Sequence, residues 1–212
     1  MSEGPWVPLF PLGVVLLPGG FLPLHIFEER YKTMVGECME KAQAFGMVYY
    51  NGARIASAGC TAGIVEIRHR YPDGRLDIMT RGEKRFAVLE RDESKPYLRG
   101  RLRFFDDQPE DLGEQDAELA RRGLDLLGEL ERLLEREPRF ESAGSAGIRA
   151  VSFRLAGCAG FSLDEKQAFL EMTSTRKRLQ KAVPALKKLI ERLKLTLEIQ
   201  RIVGGNGHPP QR

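Results

Sequence analysis

The stretch PLFPLGVVLLPGGFLPLHIFEERY, residues 8–31, decides how the chain is read. Its short apolar runs are cut by Pro8, Pro11, Pro18, Gly19, Gly20 and Pro23, with Pro5 just upstream. Proline removes a ladder donor and disfavours helix, so these runs predict edge strands and tight turns. Phe21 to Phe27 reads as a strand. From Glu28 to Ala42, the residues Tyr31, Val35, Cys38, Met39 and Ala42 recur at helical spacing, which predicts a helix with one apolar face.

Downstream, residues 46–105 read as strands. Met47–Tyr50 is short and apolar, Ala62–Tyr71 is extended, and Pro72-Asp73-Gly74 is a turn. Leu76–Thr80 and Arg85–Glu90 follow as two further strands. In Tyr97–Phe105, Leu98, Leu102 and Phe104 alternate with Arg99, Arg101 and Arg103, the period of a half-buried strand. Many short strands between turns predict a small closed or half-closed barrel.

The acidic, Pro- and Gly-containing run Asp106–Gly113 marks a boundary, beyond which the periods become helical. Helices are expected over Glu114–Glu135, stopped by Pro138, and around Ile148–Ala156 after a small-residue stretch from Ser142. Ser162 and Glu165 form a capping box that starts a helix over Leu163–Met172. A last helix over Ser174–Ile202 carries Leu179, Val183, Leu186, Ile190, Leu193 and Leu197 as a seam, with Pro184 expected to kink or divide it. The fold class is therefore α+β: a β-rich domain over residues 1–108, a helical bundle over 109–203 and a disordered tail over 204–212.

The charge balance narrows the function. The chain is 212 residues long with a formal charge of only +3, which does not demand a polyanionic partner. Residues 109–175 hold 8 Lys and Arg against 14 Asp and Glu, while 176–201 hold 9 against 2. Neighbouring blocks of opposite sign predict helices that pack beside one another. Cys38, Cys60 and Cys158 are far apart and lack metal-ligand spacing, so they read as reduced thiols of a cytoplasmic protein. No apolar run reaches the length of a membrane span.

The motifs that carry catalysis are missing: no Walker A loop, no dinucleotide fingerprint, no His-Glu-x-x-His and no Gly-x-Ser-x-Gly. The expectation is no enzyme, no cofactor, no catalytic residue and no metal. His25, between Leu24 and Ile26, reads as a hydrogen-bonded histidine in or near the core. The row Arg99, Arg101 and Arg103 places cations about 7 Å apart on one sheet face. It could meet nucleic-acid phosphates, but pairing with neighbouring carboxylates is the preferred reading, and nucleic acid is disfavoured.

Residues 8–31 closely resemble the opening of the N-terminal, substrate-binding domain of the Lon protease family. Later landmarks agree in order: Phe45-Gly46-Met47-Val48, Gly59 with Ala62 and Ile64, Asp73-Gly74-Arg75, Gly82 with Arg85-Phe86, Pro96-Tyr97-Leu98 and, in the helices, Lys166-Gln167, Phe169-Leu170-Glu171 and Arg178-Leu179. The resemblance runs from about residue 5 to residue 195. It implies a PUA-like β-barrel followed by a helical bundle, as in stand-alone Lon-domain proteins that lack the ATPase and protease modules. It also implies recognition of unfolded or extended polypeptide, in company with a protease or chaperone. Phe21, Leu22, Phe27 and Tyr31, near the Pro-rich edge, are the candidate substrate-binding side chains. An adaptor that docks on another complex through its helices, and an RNA-binding PUA-like protein, are the alternatives. The oligomeric state stays open.

Overall fold

A computed structural model describes residues 4–135, 147–158 and 160–205, with side chains up to 200. The expected stop at Pro138, the stretch from Ser142 and most of the tail 204–212 lie outside the described residues. The strands are β1 (Trp6–Leu12), β2 (Phe21–Ile26), β3 (Phe45–Tyr50), β4 (Ile55–Arg70), β5 (Leu76–Asp92) and β6 (Arg99–Phe104). The helices are α1 (Glu29–Glu40), α2 (Glu114–Leu133), α3 (Ile148–Ala156), α4 (Leu163–Glu171) and α5 (Thr175–Gly205).

The sheet runs β2-β5-β4-β3-β1-β6, and an extra β5–β6 pairing closes five of its strands into a ring. The ring is not a plain barrel. Strand β5 pairs β2 through residues 76–81 and then β6 through 86–92, so the expected two strands are one. Its polar middle, Arg81-Gly82-Glu83-Lys84, which separates the two expected strands in sequence, is where the strand changes partner. Strand β4 likewise pairs β3 only through residues 55–62 and continues outward beside β5 to Arg70. The outer halves of β4 and β5, with β2, form a three-stranded extension of the ring.

Strand β1 is not the edge strand that its prolines suggest. It pairs β6 antiparallel through Trp6–Pro8 and β3 parallel through Leu9–Leu12. Pro8 and Pro11 each lie where β1 has a paired partner on one side, so their missing donors break no ladder. Leu9, Val48, Phe86 and Leu102 fill the ring, all at most 1% exposed. Gly46, Gly59 and Gly100 leave the room that Phe86 and Leu9 occupy.

The opposite face of these strands, with Phe10, Phe45, Met47 and Cys60, joins Tyr31, Met34, Val35 and Cys38 of α1 in a core that continues into the helices. In the helical half, Leu127 and Leu130 of α2, Phe153 and Leu155 of α3, and Leu179, Val183, Leu186 and Ile190 of α5 are buried as their spacing predicts. Acidic α2 and basic α5 pair through Asp116–Arg176 at 2.9 Å and Glu129–Lys194 at 2.5 Å. The Ser162–Glu165 capping box forms. Helix α5 runs through Pro184 without division. Pro184 and Gln180, whose carbonyl loses its donor there, are both exposed, so water can satisfy that carbonyl.

The two halves meet at a buried charge cluster. Asp107, in the connection after β6, accepts Arg85 of β5 at 2.6 Å, Arg178 of α5, and the Thr175 hydroxyl at 2.5 Å. The Arg178 guanidinium also stacks 3.7 Å from the centre of the Phe153 ring.

Candidate functional site

The sequence fixes the site through two local departures from regularity. Helix α1 ends at Glu40 with Lys41 as its C-cap, and Ala42 takes a left-handed φ of 46° that swings residues 42–44 across the end of the sheet extension. Along β4 the register slips twice against β5, between Ile64 and Glu66 and between Ile67 and His69. A regular strand sends alternate side chains to opposite faces. The first slip breaks that alternation, so Ile64, Val65 and Ile67 all line one groove. Cys38, Met39 and Ala42 form the facing wall, and the groove has a volume of about 700 Å³.

Residues 63–70 of β4 pair with β5 on one side, and among the described residues no strand pairs with their other edge. Val65 is 53% exposed and Ile67 36%. Glu83 lies over Gly63 at one end of the groove and Arg70 stands at the other. An open backbone edge beside an apolar trough can take an additional strand: the edge supplies main-chain hydrogen bonds and the trough takes alternate side chains.

The residues chosen from sequence divide between two faces. Tyr31 is in the core, 9% exposed, its ring centre 4.1 Å from that of Phe10. Leu22 is partly buried against the same core. Phe21 is half-buried on the opposite face of β2, in register with Arg81. Phe27 is the one that is largely exposed, at 58%, stacked on His25. The alternation of β2 separates Phe21 from Leu22, while Phe27 follows the strand and Tyr31 lies on α1. His25 is exposed rather than in the core, and its Nδ1 lies 2.6 Å from Asp77, which also accepts the Tyr71 hydroxyl at 2.9 Å. These bonds hold the Asp77 carboxyl below its ordinary range.

Two arginines of the row are paired with carboxylates, Arg99 with Asp92 and Arg101 with Glu90 at 2.8 Å. Trp6, not singled out from sequence, is 41% exposed and lies against both guanidiniums. Among the described residues no group of His, Cys, Asp and Glu could hold a metal ion, and no helix is long and apolar enough to cross a membrane.

Cys38, on the groove wall, and Cys60 and Cys158 are buried and unpaired. Burial pushes each thiol up, Cys60 to about 12. Thiolate is the reactive form. At pH 8 the native protein should therefore resist alkylation by iodoacetamide, and all three thiols should react once urea unfolds it. Rapid labelling of any one in the native state would contradict its burial.

Residues 6–188 match the family model of the ATP-dependent protease La (LON) substrate-binding domain. Lon protease 2 of Myxococcus xanthus is 24% identical over 97% of this chain and 26% of its own length. The Lon protease of Dictyoglomus thermophilum is 26% identical over 93% and 26%. The chain thus spans about a quarter of the length of these curated relatives. Among solved structures, a Lon N-terminal domain protein from Xanthomonas campestris superposes with a TM-score of 0.64 at 27% identity, covering 84% of this chain and 96% of that one. The N-terminal domain of Mycobacterium avium complex Lon protease also gives 0.64, at 15% identity over 88% and 98%, and shares the fold.

Proposed function

This chain belongs to the ATP-dependent protease La (LON) substrate-binding domain family, and we propose that it is a non-catalytic polypeptide-recognition module. Its ligand is an unfolded or extended polypeptide, and its setting is the cytoplasm, beside a protease or chaperone that acts on what it holds. Residues 1–108 make up the recognition domain, 109–203 the bundle that buttresses it and 204–212 a tail. The observation that carries this reading is the unpaired outer edge of β4, with Val65 and Ile67 exposed beside an apolar groove. Of Phe21, Leu22, Phe27 and Tyr31, Phe27 is the one exposed enough to add contact, and it does so on the outer face rather than in the groove. Pairing of Arg99 and Arg101 with carboxylates weakens the nucleic-acid alternative.

The test is titration of the full chain with a fluorescently labelled, reduced and alkylated protein. Saturable binding is expected. Val65→Asp, which sets a charge in the trough at an exposed position, should weaken it about ten-fold or more. Absence of saturable binding by the wild-type chain would end the reading.

A further inference from the structure

The groove has electrical polarity as well as an apolar floor, and the polarity specifies its occupant. At the end where Gly63 meets Ala44 stands the exposed carboxylate of Glu83. The carboxy-terminal end of α1, the negative end of its dipole, finishes at this same place with Lys41 and Ala42. At the other end stands Arg70, exposed and in register with Leu76. Glu66, between them, is already engaged by Arg68 at 3.2 Å. The trough therefore runs from a negative end to a positive one, with Ile64, Val65 and Ile67 between. With its two slips, the stretch from Gly63 to Arg70 lies against Arg81 to Leu76 of β5, five regular steps or roughly 17 Å, which matches about six extended residues.

The geometry points to a specific ligand class: an extended segment of about six residues, apolar at alternate positions, with a basic side chain at the Glu83 end and an acidic one at the Arg70 end. This rests on the polypeptide-recognition reading and adds a charge rule to it. The bulge at Val65 is part of the device. It gives the trough three apolar contacts within four residues, more than a regular strand presents to one face. Charges on a ligand thus select and orient it at the ends, while the trough and the backbone edge hold it.

The rule is tested with three labelled hexapeptides of one alternating apolar core. One ends in lysine and glutamate, one in glutamate at both ends and one in lysine at both ends, all with blocked termini. Wild-type chain should prefer the mixed peptide by about five-fold over either other, and the preference should vanish in 0.5 M salt, where charges are screened. Glu83→Lys should invert the order in favour of the doubly acidic peptide. Arg70→Glu should invert it in favour of the doubly basic one. Both positions are exposed, so each swap is an independent reading of the same rule. If the chain binds unfolded protein saturably but neither swap changes the order of peptides, the charge rule is wrong while recognition stands. If nothing polypeptide binds, both fail together.

Discussion

Asp107→Ala is expected to lower the unfolding free energy by about 3–5 kcal/mol and the melting temperature by about 10 °C or more. The carboxylate is 6% exposed and accepts from Arg178, whose side chain is 0% exposed, and from Arg85, at 1%. Burial pulls the Arg178 guanidinium down to about 10, still well above neutrality, so the group stays charged. Removal of Asp107 leaves two buried cations facing each other. Their remaining bonds, to the carbonyls of Leu170 and Met172 and to Ser152, satisfy protons but do not neutralise charge, and the nearest carboxylate left is the exposed Asp106, 3.6 Å from Arg85. Asp106 is the internal control. It is 59% exposed, bonds the half-exposed Arg149 and lies 3.6 Å from Arg85, which keeps its 2.6 Å bond to Asp107, so Asp106→Ala should cost under about 1 kcal/mol. Urea denaturation of both variants measures the contrast. Equal losses at the two positions would mean that the buried pairing does not hold the junction. The cluster ties β5, the connection after β6, and helices α3, α4 and α5, so its loss should be felt in both halves of the molecule.

The order of strands and helices is largely visible in sequence because it follows from local periods. The Ser162 capping box, the apolar face of α1 and the seam of α5 as far as Ile190 each need only residues a few positions apart, and each forms; the seam's expected last residue, Leu197, is 41% exposed. What local periods miss is partnership. Nothing in Arg81-Gly82-Glu83-Lys84 announces that one strand passes from β2 to β6, because the second partner lies far along the chain. Pro8 and Pro11 look like marks of an edge, since the partners that alternate along β1 are remote. The site suffers most from this. Phe21, Leu22, Phe27 and Tyr31 are large apolar residues close in sequence, but β2 sends Phe21 and Leu22 to opposite faces, Phe27 follows the strand and Tyr31 belongs to α1. The groove is made instead by β4, within a stretch that reads only as extended. Its one local signal is the sequence Ile64-Val65-Glu66-Ile67, three apolar residues in four, which breaks the alternation of a simple strand. The charge cluster was invisible for the same reason: Arg85, Asp107 and Arg178 are brought together only by the fold.

The second large effect concerns the ring that carries β4. Gly59→Ala should destabilise the protein by about 3 kcal/mol, near the upper end for one added methyl in a packed core. A Cβ there would sit 2.2 Å from the Met47 carbonyl oxygen and 2.6 Å from the tip of the Phe86 ring. A phenyl ring can turn, but the oxygen belongs to the backbone of paired β3, so the ladder itself has to shift. Phe86 is 0% exposed and fills the ring with Leu9, Val48 and Leu102. Any retreat of the phenyl group then presses on those neighbours, since the interior of so small a ring has no spare volume. Gly128→Ala provides the opposite sign with the same chemical change. Gly128 lies within α2 with nothing inside 4 Å of its added methyl, so alanine there should stabilise by about 0.5–1 kcal/mol. Matched urea titrations decide the matter: a Gly59→Ala loss below about 1 kcal/mol would mean that the ring tolerates a methyl against β3 and that its packing is not what fixes β4. Because residues 55–62 lie in the ring and residues 63–70 form the open edge, a shift at Gly59 also displaces the groove. Peptide affinity should then fall in the folded fraction of Gly59→Ala and stay unchanged in Gly128→Ala.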